Sequence, residues 1–275
     1  ENGKEHRVCS YAYDASDLKS DSATGLISWS EGTPDERWTL KSGSKIRMLT
    51  AKGRKKTLKS TGLLYNPAYS ETNIATIRYY PDGRSSVNLL NSASGEEIKE
   101  FNSPDSLQFV EAAWIGKDIY TSAISENGYG LYKLDENGDR YDWECVLGPQ
   151  PVLIKDLRTY GDELTFTCDR TGVNELYHFN PATGEVRQRT STRYGAEDFQ
   201  YSTDGKTLYY SSQTLMGKHL FRTPVKDLFN NTIKFDSLYK YPIAEKMKLQ
   251  EIEAAKAQGY EIGKSLCDDE KIEYC

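Results

Sequence analysis

The sequence predicts an all-β fold, a β-propeller of four-stranded blades, and three observations carry that prediction. Second strands begin at Asn73, Asp118, Glu163 and Thr207, spaced 45, 45 and 44 residues apart. Third strands centre on Val87, Leu131, Leu176 and Leu220, spaced 44, 45 and 44 residues apart. Short runs of period-two alternation, punctuated by glycine turns, argue against helices through about residue 223. A repeat of about 40 to 45 residues carrying four strands is the length of one blade. A looser copy, Gly25-Leu26-Ile27-Ser28-Trp29, lies 48 residues before Asn73 and brings the visible blades to five. A sixth is added if an upstream segment completes the ring.

The fourth unit shows the order of elements within a blade. Leu153 to Leu157 forms the inner strand and Tyr160-Gly161-Asp162 the first turn. Leu164 to Cys168 is the second strand, and Asp169 to Gly172 the hairpin. Glu175 to Phe179 alternates as the third strand, Asn180 to Gly184 turns the chain, and Glu185 to Arg189 runs outward. The pattern changes after residue 223. Ala244 to Gln258 is rich in helix formers, puts Met247, Ile252 and Ala255 near one side, and stops at Gly259. The expected organisation is therefore a propeller over residues 1–240 and a helical or irregular tail over 241–275.

Composition sets limits on function. The apolar share is 37%, low for a globular chain but compatible with blades whose turns and outer strands stay wet. Twenty tyrosines suit half-buried strands, with the ring on the sheet and the hydroxyl at water or a carbonyl. A net charge of −6 disfavours nucleic acid, whose phosphates need a basic face. The short basic run Lys52 to Lys56, with Lys59, reads as a solvated turn between blades. No apolar run is long enough to span a bilayer as a helix. Of the five cysteines, Cys9, Cys145 and Cys168 fall in predicted strands as small hydrophobes, and the spacing leaves a Cys267–Cys275 pair open. The chain starts at Glu1 without methionine, which a removed signal peptide and a cut chain explain equally.

Two motifs resemble the TolB-like, WD40-like propeller repeat of bacterial envelope proteins and of the propeller domains of prolyl-oligopeptidase-type peptidases. Tyr201-Ser202-Thr203-Asp204-Gly205-Lys206-Thr207-Leu208-Tyr209 resembles the family's aromatic-Ser-Pro-Asp-Gly-Lys turn, with Thr203 in place of proline. Asp169-Arg170-Thr171-Gly172-Val173-Asn174-Glu175-Leu176-Tyr177 resembles its hairpin. The likeness covers roughly residues 60–225 and implies fold rather than activity. It also implies an extracytoplasmic location, in the periplasm or at the outer membrane, and a context in which a membrane barrel lies elsewhere in the full protein.

Superposing the inner strands shows one polar position in each, three residues before an aromatic or threonine: Asn66 before Tyr69, Glu111 before Trp114, Asp156 before Thr159, and Asp198 before Tyr201. Inner strands line the channel, so this register sets up a ring able to hold a cation, a cationic ligand or a sugar. The competing reading is that these side chains cap backbone amides at strand starts. Tyr69, Trp114 and Tyr201 either form a recognition surface or pack between blades. A five-bladed glycoside hydrolase would pair Glu111 with Asp156 or Asp198. A serine nucleophile lacks its G-x-S-x-G elbow. No histidine set with metal-ligand spacing and no cofactor motif is present, and Asp135 to Asp139 reads as a polar Asn-Gly hairpin. The expected function is a non-catalytic binding or scaffolding module. Its ligand site is Asn66, Glu111, Trp114, Asp156, Asp198 and Tyr201, and its partner a protein or an oligosaccharide.

Overall fold

The computed structural model describes residues 7–259 apart from residues 13, 22–24, 39–41, 59–62, 71, 139 and 236–241. His6, Lys59, Asp139, Cys267 and Cys275 lie outside the described residues. The chain divides into two units, residues 1–237 and 238–275.

The first unit is a five-bladed β-propeller of antiparallel sheets. Blade 1 contains β1 (Ser16–Asp21), β2 (Leu26–Pro34), β3 (Ser42–Leu49) and β4 (Lys55–Thr57). Blade 2 contains β5 (Leu64–Ser70), β6 (Asn73–Tyr79), β7 (Ser85–Asn91) and β8 (Glu97–Asn102). Blade 3 contains β9 (Gln108–Ile115), β10 (Asp118–Ser125), β11 (Gly128–Asn137) and β12 (Arg140–Gln150). Blade 4 contains β13 (Ile154–Tyr160), β14 (Glu163–Cys168), β15 (Glu175–Asn180) and β16 (Glu185–Gln188). Blade 5 contains β17 (Ala196–Tyr201), β18 (Thr207–Thr214) and β19 (Gly217–Pro224). The next strand, β20 (Asn231–Ile233), does not close blade 5. It leaves through a 3-10 turn at Val225–Asp227 and pairs with β16 as a fifth strand of blade 4.

All four second strands begin where the repeat places them, and three of them, β10, β14 and β18, follow a turn with a glycine at positive φ. Gly116 at φ 59° and Gly161 at φ 61° adopt that conformation between first and second strands. The apolar cores lie between blades. Leu26, Ile46 and Met48 of blade 1 pack on Leu64, Ile74 and Leu90 of blade 2. Val87 and Phe101 meet Phe109, Ile119 and Trp143. Leu131 and Leu147 meet Ile154, Phe166 and Tyr177. Leu176 meets Ala196, Phe199 and Leu208. Burying a leucine in such an interface is worth about 2 kcal/mol, so each blade depends on the next.

The face of blade 1 turned away from blade 2 is held differently. Glu31 is buried there, accepting hydrogen bonds from Trp29 Nε1 at 2.9 Å, Arg47 Nε at 2.8 Å and the Ala12 amide at 3.4 Å. Burial opposes its ionisation, but the bonds from Arg47, Trp29 and Ala12 prevail and bring its pKa down to about 2.

Two sequence expectations need correction, on Cys9 and on the basic run. Cys9 lies outside any strand, whereas Cys145 is in β12 and Cys168 is buried in β14 with its thiol pushed up to about 12 by desolvation. The basic run sits within blade 1, between β3 and β4, not between blades, because β4 starts at Lys55. Asp135 to Asn137 belongs to the β11–β12 hairpin, with Gly138 at φ 65°. In the second unit, α1 (Pro242–Ala257) begins two residues before the expected helix and ends one residue early, with Gly259 following at φ 76°. Within α1, Ile252 and Ala255 are half-buried and Met247 is exposed.

The central third-strand position gives a direct test of inter-blade packing. Val87, Leu131 and Leu176 are 0%, 0% and 1% exposed, while Leu220 is 74% exposed. Leu176→Ala should therefore cost about 2–5 kcal/mol in urea denaturation, and Leu220→Ala should stay within about 0.5 kcal/mol of the parent. Equal losses would show that the outer face of blade 5 is covered.

Candidate functional site

Each inner strand carries a β-bulge, and the polar position found in the sequence sits on it. In β5, β13 and β17 the register slips between Tyr65 and Ala68, Lys155 and Arg158, and Glu197 and Gln200. Asn66, Asp156 and Asp198 occupy those slips at φ 52°, 56° and 55°, a left-handed conformation that Asn and Asp adopt more readily than other side-chain-bearing residues. In β9 the slip falls one residue earlier, so Glu111 keeps an ordinary φ and a longer side chain takes the place of the short one.

These side chains bond across or within blades. Asn66 Nδ2 donates to the Val110 carbonyl of blade 3 at 2.7 Å. Glu111 accepts from the amides of Asp156 at 2.7 Å and Leu157 at 3.0 Å, both in blade 4. Asp156 accepts from Thr167 Oγ1 at 3.3 Å, and Asp198 from Ser211 Oγ at 2.5 Å. Lys218 also lies 2.9 Å from Asp198, whose carboxyl is held below the usual range: burial raises it, but Lys218 and Ser211 prevail. A hydrolytic role for Glu111 would require an oxygen turned to the channel. Its second oxygen is instead 3.1 Å from Lys19 Nζ.

The row two residues further along faces the axis. Lys19, Ala68, Ala113, Arg158 and Gln200 line a central cavity of about 570 Å³, together with Tyr69, Trp114, Tyr160 and Tyr201. Asn66, Glu111, Asp156 and Asp198 are not among its lining residues, whereas Trp114 and Tyr201 are. Lys19 reaches across from blade 1, donating to the carbonyls of Ala112 at 3.3 Å and Leu157 at 3.1 Å beside its Glu111 pair. Arg158 donates to Leu18 O and Gln200 Oε1, both at 3.2 Å, while its shielded Nε meets no acceptor among the described residues. In an acidic protein, the charged groups on the channel wall are thus two cations, with Glu111 behind one of them.

The aromatic residues also tie blades together. Trp114 Nε1 donates to Ala68 O at 3.0 Å, and Thr159 Oγ1 donates to Trp114 O at 2.6 Å. Tyr160 stacks on Tyr201 with centroids 3.9 Å apart. The Tyr201 hydroxyl donates to His178 Nε2 at 2.7 Å, and His178 Nδ1 donates to Glu163 at 2.8 Å. Burial drives the His178 pKa down to about 4 against the pull of Glu163, so the ring is neutral at pH 7. Burial opposes ionisation of Glu163, but His178 and Arg187 hold it below the usual carboxylate range.

Sequence reasoning passed over Lys19, Arg158 and Gln200, although a signal was present. Asp17-Leu18-Lys19-Ser20 repeats the pattern of Asp156-Leu157-Arg158-Thr159, and β1 slips register at the same place, between Ser16 and Lys19.

The His178 group makes stability depend on pH with a definite sign. Its folded pKa lies below the unfolded 6.5, so the unfolded chain binds the extra proton, and stability is complete above 6.5 and lost as pH falls towards about 4. Between pH 7 and 5 this group should account for a loss of about 2 kcal/mol in urea unfolding. A His178→Asn variant, less stable overall, should lack that component; an unchanged slope would sink the assignment.

No protein-family profile matches the sequence, and no curated protein does. Solved structures do match. A TolB structure from Acinetobacter baumannii aligns with TM-score 0.55 at 18% identity over 79% of this chain and 51% of its own, so the chain spans about half the length of that protein. A structure assigned to TolB from Agrobacterium tumefaciens gives 0.57 at 13% identity, covering 78% of each chain. The β-propeller domain of the Trilobed protease from Pyrococcus furiosus, described as having an open velcro topology, gives 0.52 at 12% identity over 82% of this chain and 85% of its own. At these identities the likeness speaks for architecture alone. Repeat, bulged inner strands and structural neighbours agree that this chain folds as a TolB-like β-propeller.

Proposed function

We propose that the propeller is a non-catalytic binding or scaffolding module that receives a partner at its channel mouth, in an extracytoplasmic setting suggested by the resemblance of its turn motifs. The observation that carries this reading is the cavity of about 570 Å³, to which all five blades contribute. Rigid rings lose little entropy on docking, and the polar and cationic groups beside them can orient an incoming chain. Asn66 and Glu111 support the reading indirectly, since by bonding to the backbone of the next blade they keep the wall in place.

The charge of the wall favours an occupant that brings acceptors or negative charge, and an extended polypeptide supplies both. Arg158 is the discriminating residue because it lines the cavity and retains an unused donor. Panning a peptide-display library on the purified chain should return binders that quench tryptophan fluorescence. Arg158→Ala should weaken their binding by about ten-fold or more, while circular dichroism shows the β fold retained. Binders indifferent to Arg158→Ala and to Tyr69→Ala would place recognition elsewhere, and hits confined to a glycan array would replace the polypeptide by a sugar.

A further inference from the structure

We propose that the outer edge of blade 5 is a strand-docking site, which accepts an extended segment of another protein as the missing fourth strand. The segment it fits carries a large apolar side chain flanked, two residues away on either side, by acidic ones.

Blade 5 departs from its neighbours in a specific way. Blades 1 to 3 each have four strands, whereas blade 5 has three. β19 is laddered to β18 from Thr207↔Pro224 to Thr214↔Gly217 and has no strand on its other side among the described residues. The next strand of the chain, β20, is spent on the edge of blade 4. An open edge of this length presents a row of unpaired amides and carbonyls, the usual template for strand addition.

The chain's own blades show what such a strand carries. In blade 2, Val87 is paired across to Phe101, and in blade 3 Leu131 is paired across to Leu147. Leu220 is the equivalent residue in β19; it pairs with Ser211 of β18, and no described strand faces it on the outer side. Tyr209, on the same face, is 36% exposed, whereas Ala75, Tyr120 and Thr165 at the matching second-strand position are buried. An apolar residue opposite Leu220 restores the pairing found in blades 2 and 3.

Charge decides between occupants. Lys218 and Arg222 flank Leu220 on the same face, two residues to either side. Lys218 is partly satisfied by Glu197 and Asp198, at 3.3 and 2.9 Å, while Arg222 is exposed and makes no ion pair with a described residue. A second copy is a poor occupant. Antiparallel pairing of two β19 strands with Leu220 on Leu220 sets Lys218 against Arg222, and pairing about Phe221 sets Leu220 against Arg222. Like charges directly opposite are destabilising and opposite charges favourable, so an acidic-x-apolar-x-acidic strand from a different protein is the complement.

The probe is the synthetic peptide acetyl-Thr-Glu-Thr-Phe-Thr-Glu-Thr-amide, with a control in which lysine replaces both glutamates. Binding is followed by fluorescence anisotropy and by amide exchange of β19. The acidic peptide should bind, protect the β19 amides, and exceed the lysine control by about ten-fold. Arg222→Glu should reduce or invert that preference, and Leu220→Asp should abolish binding without lowering the thermal midpoint, since Leu220 is exposed. Arg158→Ala should leave this binding intact, which separates it from the channel. The proposal is overturned by no binding at millimolar peptide, by equal binding of the two peptides, by loss with Arg158→Ala but not with Leu220→Asp, or by sedimentation showing dimers that Leu220→Asp converts to monomers.

Discussion

The ring is held shut at its axis by side chains of β1, and the rest of the channel depends on that contact. Lys19 spans from blade 1 to the Glu111 carboxylate of blade 3 and the Leu157 carbonyl of blade 4. The carbonyl of Leu18 receives Arg158, and Ser20 Oγ donates to Gln200 in blade 5 at 3.1 Å. Four apolar clusters join successive blades from 1 to 5, and among the described residues none joins blade 5 back to blade 1. Closure by charged and polar groups has a physical cost, since a lysine taken out of water must be fully bonded to be tolerated. Here its ammonium finds one carboxylate and two carbonyls, which accounts for all three of its donors.

Much of the architecture was legible because it rests on local requirements that leave marks in the sequence. Tight reversals require glycine, so the turns at Gly116 and Gly161 announced the start of β10 and β14. Bulges with positive φ favour Asn and Asp, so the polar row was visible at Asn66, Asp156 and Asp198. Capping of backbone amides, one of the two roles the row suggested, is what Glu111 does for Asp156 and Leu157; which residues face the axis was not visible. A bulge turns the strand by one residue, and a face count that ignores it assigns the wrong residues to the axis. The channel wall therefore fell to Ala68, Ala113, Arg158 and Gln200. Blade 1 was the hardest to read because its copy of the pattern, Asp17 to Ser20, belongs to the unit whose turn signals are weakest. The route of β20 was also hidden, since three residues of strand carry no sign of which edge they will join.

The same geometry changes the electrostatic expectation. A ring of carboxylates around the axis would attract cations, but the bulges draw those carboxylates back onto amides and hydroxyls. Lys19 and Arg158 take their place at the wall. A chain with a formal charge of −6 thus keeps a cationic interior beside aromatic rings. Such an inversion between surface and channel discriminates among partners, because a long-range field and a short-range contact of opposite sign select for different parts of the same molecule.

The path of β20 has a mechanical meaning. Tension entering the chain beyond Phe235 has first to draw that buried ring off Phe166 and break the bond from Arg170 to the Lys234 carbonyl, and then meets the short ladder that joins Val186 to Ile233, Arg187 to Thr232 and Gln188 to Asn231. Its rungs lie one after another along the direction in which a pulled end peels, so they yield singly, as a zipper does. Once they have parted, the load passes through the turn at Val225–Asp227 to β19, the edge strand of blade 5. The strap thus acts as a weak link in series before the last blade, able to give way while the inner strands that form the channel stay in register.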